Sequence, residues 1–207
     1  METRDLILLL SRRAHAADRR YVRWRWAAGL ALGLLASLAL LWPQMPAEGS
    51  AVATVRTAYW LDLAVATALG MAALVLAVRL GRPAGSVRAR GLVLALPLCG
   101  LALMGALEWW RMPGGLPETA WHTFMADVLR LYVPIFAAAF WCMRGQAPTR
   151  LALAGAAAGA LAGALATLLC TVFSLDLAMS PWRLWHVLGV AVPALVGTLL
   201  GPVLLRW

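Results

Sequence analysis

Long apolar runs, interrupted by short charged stretches, occupy the chain from its twenty-sixth residue onward. Charged residues bracket uncharged intervals of 22 residues (Arg25 to Glu48), 16 (Asp62 to Arg79), 17 (Arg90 to Glu108), 25 (Arg150 to Asp176) and 22 (Arg183 to Arg206). A helix crosses a bilayer core with about 20 apolar residues, within a range of about 17–25. Three intervals meet that length outright, and the two shorter ones reach it with Trp60, Trp109 and Trp110. A sixth span must start near Trp121 and take in Asp127 and Arg130, which lie one helical turn apart and can pair near the interface. The pattern predicts an all-α membrane protein, a bundle of six transmembrane helices at about 26–45, 60–78, 91–110, 122–143, 151–173 and 184–205. Ahead of this domain, residues 26–207, stands a short segment, residues 1–25, with its own amphipathic helix.

Composition narrows the class further. The chain is 63% hydrophobic and 13% charged, against about half and about a quarter in soluble domains. So few charges cannot tile a water-facing surface, which excludes a soluble enzyme, a disordered tail and a disulfide-stapled secreted domain. The net charge of +9 comes from 18 basic residues, all of them Arg. Six spans place both termini on one side, and that side then holds fourteen arginines against four on the other. The positive-inside rule makes the arginine-rich side cytoplasmic, so both termini face inward. Acidic residues split the other way, leaving the inner face near +11 and the outer face near −2. Direct nucleic-acid binding is therefore not needed to explain the charge.

The eleven tryptophans agree with this topology. Trp24, Trp26, Trp141 and Trp207 fall at inner span ends, and Trp42, Trp60, Trp109, Trp110, Trp121, Trp182 and Trp185 at outer ones. Indole rings favour the headgroup level, where the ring is dry and its N–H is wet. A signal peptide is not expected, because the first apolar core follows some 25 arginine-rich residues without a small-residue cleavage site.

Inside the bundle, Gly155, Gly159 and Gly163 recur four apart in the fifth span. A stripe of small residues lets helix backbones approach closely. Two readings fit it: packing within the chain, or the interface of a homodimer. Pro97, Pro134 and Pro193 lie inside spans and kink them. No ionisable side chain sits near the middle of a span, which counts against ion-coupled transport. Zinc, thiol-redox, serine-hydrolase and phosphate-loop motifs are absent, so no enzyme, cofactor or metal centre is expected. His122, Cys170, Trp185 and His186 gather at the predicted outer surface and are the candidates for sensing a signal there. Cys142 and Cys170 fall at opposite faces, too far apart for a disulfide within one chain.

Residues 1–25 are the one sizeable stretch outside the spans. Thr3 can cap a helix with Asp5 in its first turn. Leu6, Leu9 and Leu10 recur at helical spacing, with Ile7 beside them. Such an apolar stripe on a short tether either lies on the membrane or enters a partner's groove.

Several stretches are shared with one family. The opening ETRDLILLL, the arginines before the first span, APTRLALAGAAAGALAGALATLLC and the ending WRLWHVLGVAVPALVGTLLGPVLLRW resemble the NrsF family along the whole chain. The resemblance implies a six-span bacterial inner-membrane anti-sigma factor. Its N-terminal segment would hold an extracytoplasmic-function sigma factor at the membrane until an envelope, oxidative or metal stress releases it. On that resemblance Asp5, Leu6, Ile7, Leu9 and Leu10 belong to the sigma-contacting segment. It also implies two outer-side cysteines. Cys170 stands where the second falls, but no cysteine between Trp121 and Tyr132 matches the first, so His122 is the candidate to replace it. A small transporter or channel is the alternative.

Overall fold

The structure is a computed structural model that describes residues 19–44, 57–81, 118–146, 148–173 and 183–206, with Leu103, Ala106, Leu107 and Trp110. Among these residues five α-helices form: α1 (Arg19–Leu41), α2 (Thr57–Leu80), α3 (Glu118–Arg144), α4 (Leu151–Phe173) and α5 (Arg183–Leu204). A 3-10 turn, Trp42–Gln44, closes α1. Leu103, Ala106, Leu107 and Trp110 are also helical, within the span expected at 91–110. Asp5, Leu6, Ile7, Leu9, Leu10, Pro97 and Cys99 lie outside the described residues.

Helices α1, α2, α4 and α5 are long and apolar enough to cross a membrane. Their outward faces carry large apolar side chains that are exposed: Leu32 and Leu35 on α1, Met71 on α2, and Leu195, Leu199 and Val203 on α5. A face this apolar is stable against acyl chains and costly against water. The chain is therefore a helical, membrane-associated protein.

The bundle is organised around α4. Within the window apolar enough to span, 72% of α4 is buried, against 39% in α2 and 28% in α1 and α5. Helices α2, α3 and α5 all pack on it, and α1 packs on α3. Composition explains the central place: α4 is alanine, leucine and glycine almost throughout. Its slim cylinder lets three neighbours approach at once, a gain from dispersion that lipid alone cannot supply. The connection from α3 to α4 is only residues 145–150, a length that sets two helices side by side and antiparallel.

The α4–α5 contact runs backbone to backbone. A Cβ on Gly155 would strike the carbonyl oxygen of Gly197, and one on Gly159 that of Pro193. A Cβ on Gly163 would strike the carbonyl oxygen of Gly189. In the reverse direction, Cβ atoms on Gly197 and Gly201 would strike the carbonyl oxygens of Gly155 and Leu151. The glycine stripe of α4 is thus filled by α5 of the same chain, through a matching stripe at Gly189, Pro193, Gly197 and Gly201. A homodimer would have to use another face.

Helix α1 begins earlier than the apolar pattern suggests. Its first seven residues, Arg19 to Arg25, continue the helix that carries the apolar run. Arginine is a good helix former, and its long side chain can keep the guanidinium wet while the stem stays on the helix surface. The boundary drawn at residue 25 therefore falls inside a continuous helix.

Candidate functional site

Two groups of polar side chains stand out: one along the α1–α3 seam from Arg25 to Ser37, and one at the Cys170 end of the α4–α5 pair.

The first cluster joins α1 to α3, starting at the arginine-rich end. Every fourth residue of α1 (Arg25, Gly29, Gly33 and Ser37) faces α3. The Arg25 guanidinium lies 4.4 Å from the Trp141 ring centroid and donates through Nη2 to the Trp141 carbonyl at 2.7 Å. Its Nη1 reaches the Tyr21 hydroxyl at 3.4 Å. In return, the Cys142 thiol donates to the Arg25 carbonyl at 3.3 Å. Gly145, just past α3, leaves room for the guanidinium, since a Cβ there would lie 2.5 Å from Cζ of Arg25. One turn further along, a Cβ on Gly29 would strike Sγ of Cys142. A Cβ on Gly33 would lie 2.9 Å from Ala138 Cβ and 3.2 Å from Ile135 Cα.

Ser37 completes this seam. Its hydroxyl is wholly buried, 2.9 Å from the Gly33 carbonyl and 2.8 Å from the Leu131 carbonyl. One hydroxyl proton serves both oxygens in a shared bond. Pro134 has no N–H, so α3 loses a backbone hydrogen bond in this turn. A neighbouring serine that donates to carbonyls just ahead of such a proline is how membrane helices tolerate the break.

The second cluster joins α4 to α5. Thr171 Oγ1 donates to the Thr167 carbonyl at 2.9 Å, and His186 Nε2 lies 2.9 Å from Thr171 Oγ1. The hydroxyl has one proton, so both contacts are satisfied together when His186 carries hydrogen on Nε2 and donates to Thr171. His186 is buried, as is Cys170 at 3% exposure, and Cys170 directly precedes Thr171 in α4.

The structure brings Cys170 and His186 to the same end of the same helix pair. Trp185 adjoins His186 at the start of α5, and His122 lies in the first turns of α3, but the side chains of both fall outside the described residues. Among the described residues neither Cys142 nor Cys170 forms a disulfide, and the two lie at opposite ends of the bundle. Among the described residues no group of three His, Cys, Asp or Glu converges on a point. Trp26, read from the sequence as an interfacial anchor, is instead buried at 4% in the core with Phe140 and Met143. The α1 seam escaped the sequence reading, although Gly29, Gly33 and Ser37 show the same spacing of four that drew attention to α4.

Residues 10–207 match the family described as negative regulator of sigma F, NrsF. The chain belongs to the NrsF family. Over their full lengths, it is 32% identical across 216 residues to the probable anti-sigma-F factor NrsF of Azospira oryzae (strain ATCC BAA-33 / DSM 13638 / PS). It is 31% identical, again over the whole of both chains, to the anti-sigma-F factor NrsF of Caulobacter vibrioides (strain NA1000 / CB15N). No solved structure matches it. NrsF is thus a family of regulators rather than enzymes, and an anti-sigma role is what the relatives support for this chain. The family match covers all five described helices, including the α1–α3 seam and the Thr171–His186 pair.

Proposed function

We infer that this NrsF-family chain is an anti-sigma factor of the bacterial inner membrane that sequesters an extracytoplasmic-function sigma factor through residues 1–25. The observation that carries the reading is the full-length match to two anti-sigma-F factors. The four apolar helices supply the membrane anchor that tethered sequestration requires. In this reading the bundle has six spans, with both termini in the cytoplasm. The N-terminal segment grips the sigma factor with Leu6, Ile7, Leu9 and Leu10, and Asp5 sits in the first turn of that helix. A short amphipathic helix entering a groove is a common way for a small segment to bind a larger partner.

The Thr171–His186 end then faces the envelope, with Cys170, His186, Trp185 and His122 as the residues that receive an envelope, oxidative or metal stress. Burial of Cys170 and His186 means the signal must first loosen the α4–α5 end, because buried thiols are slow to react. Release follows when the signal favours the freed state over the bound one. Moving a 99:1 population to 1:99 takes a difference of about 5.5 kcal/mol.

The test is co-expression with the cognate sigma factor, followed by purification in detergent. The sigma factor should co-purify with the full chain and be lost when residues 1–18 are removed. Failure of the full chain to retain it would overturn the reading, and solute flux in proteoliposomes would favour a transporter instead.

A further inference from the structure

We propose that Arg25 is a positioning residue: by locking α1 onto α3 through Trp141 and Cys142, it fixes where the N-terminal segment leaves the bundle. The proposal rests on the anti-sigma reading above and adds how the bundle governs the segment.

Residues 1–18 run directly into α1, so the rotation and height of α1 set the direction in which they emerge. A helix turns about 100° per residue, so a slip of α1 on α3 by one residue would aim the segment at a different side. The small stripe of Gly29, Gly33 and Ser37 gives a close but smooth contact. Glycines bring two backbones together and offer few knobs to resist sliding. Ser37 resists at one point, through Leu131 O. At the other end resistance comes from Arg25, which holds α3 three ways. Its guanidinium covers the Trp141 ring and donates to the Trp141 carbonyl, and its own carbonyl takes the Cys142 thiol. These contacts involve the side chain and the backbone of one residue, so they fix rotation as well as height. Gly145 provides the space, since any larger residue there would push the guanidinium away.

Arg23, two residues earlier, provides a comparison. Arg23 is exposed on the other side of α1, where it lines an open groove with Arg20, Trp24 and Ala27. It carries the same charge at the same depth, which makes it the control for charge alone.

Two readouts test the proposal on the full chain in membranes. The first is the fraction of co-expressed sigma factor that sediments with the membranes. The second is maleimide labelling of Cys142, with Cys99 and Cys170 replaced by serine. Cys142 is fully buried under α1, so its labelling reads the seam whether or not a sigma factor is present. Arg25→Ala should expose Cys142 and weaken sigma retention by about tenfold, the order expected for a cation–π contact with a charge-assisted hydrogen bond; Trp141→Ala, which keeps the backbone carbonyl that Arg25 bonds, should do both to a smaller extent. The double variant should be no worse than Arg25→Ala, which already removes both the ring contact and the hydrogen bond. Arg25→Lys keeps a cation over the ring and should restore part of both readouts, whereas Arg23→Ala should change neither. If Arg25→Ala reaches the membrane poorly, Trp141→Phe, which keeps a weaker ring face, should give an intermediate loss.

Unchanged sigma retention in Arg25→Ala overturns the proposal, whether or not Cys142 becomes reactive. Equal losses in Arg23→Ala overturn it in favour of a charge effect. If the unaltered chain retains no sigma factor while Cys142 labelling still responds to Arg25→Ala, the anti-sigma reading has failed and the seam has not.

Discussion

Replacing Gly159 by alanine tests the backbone contact on which the bundle is built. A Cβ at Gly159 would strike the Pro193 carbonyl oxygen, 2.7 Å from the carbonyl carbon and 3.0 Å from Ala194 Cα. All three are backbone atoms of α5, so no side chain can swing aside. Ordinary contact begins near 3.4 Å, so relieving the carbonyl carbon alone requires α4 and α5 to part by about 0.7 Å (3.4 − 2.7). Overpacking of this kind costs about 1–3 kcal/mol. Alanine also gains up to about 1 kcal/mol over glycine in helix propensity, which partly hides the cost in the single variant. Gly70→Ala in α2 removes that ambiguity. A Cβ there meets only Leu165 Cδ2 at 3.7 Å, so it gains the same propensity without the clash. In the difference between the two variants propensity cancels, leaving about 1–3 kcal/mol against Gly159→Ala. Reversible unfolding in mixed micelles measures both on one scale. Equal stability of the two variants would refute the close α4–α5 contact.

Further substitutions probe the two polar clusters. Ser37→Ala removes the hydroxyl shared between α1 and α3 at Leu131, and should cost about 0.6 kcal/mol and at most about 1.7 kcal/mol in the same unfolding assay, the average and upper value for hydrogen bonds between membrane helices. Thr171→Val keeps the shape but leaves His186 without this acceptor, so a loss of about 1–3 kcal/mol is expected; the double change of Thr171→Val with His186→Phe should recover part of it. Cys170→Ser should leave sigma retention intact while altering release under oxidative or metal stress. An unchanged stress response, read from a sigma-dependent reporter, would remove Cys170 from the sensing mechanism.

Much of this organisation was legible in the sequence because it follows from length and hydropathy. The apolar intervals near 26–45, 60–78, 151–173 and 184–205 correspond to α1, α2, α4 and α5, and Gly155, Gly159 and Gly163 proclaim a close helix contact by spacing alone. The partner of that contact was not legible. Gly189, Pro193, Gly197 and Gly201 carry the same spacing, but their pairing with α4 is set by the antiparallel register of α5. Arg25 illustrates a different limit. In a sequence it is one of seven arginines ahead of an apolar run, each of which suits topology equally well. Only its position one turn before Gly29, against Trp141 and Gly145, separates it from Arg23, and that is a property of two helices together. Trp26 was misplaced for a related reason: hydropathy puts it at a span end, while the face it occupies on α1 turns it into the core. The Thr171–His186 pair joins residues fifteen apart across a break between helices, which spacing does not reveal.

The most direct test of sequestration by the N-terminal segment is site-specific photocrosslinking in intact membranes. With a photoreactive residue at Leu9, the account predicts that the co-expressed sigma factor is captured in a covalent adduct. A probe at Leu199, exposed on the outward face of α5, should capture none. A sigma factor that remains with the membranes yet is never captured from Leu9 or from its neighbours Leu6 and Leu10 would contradict the account.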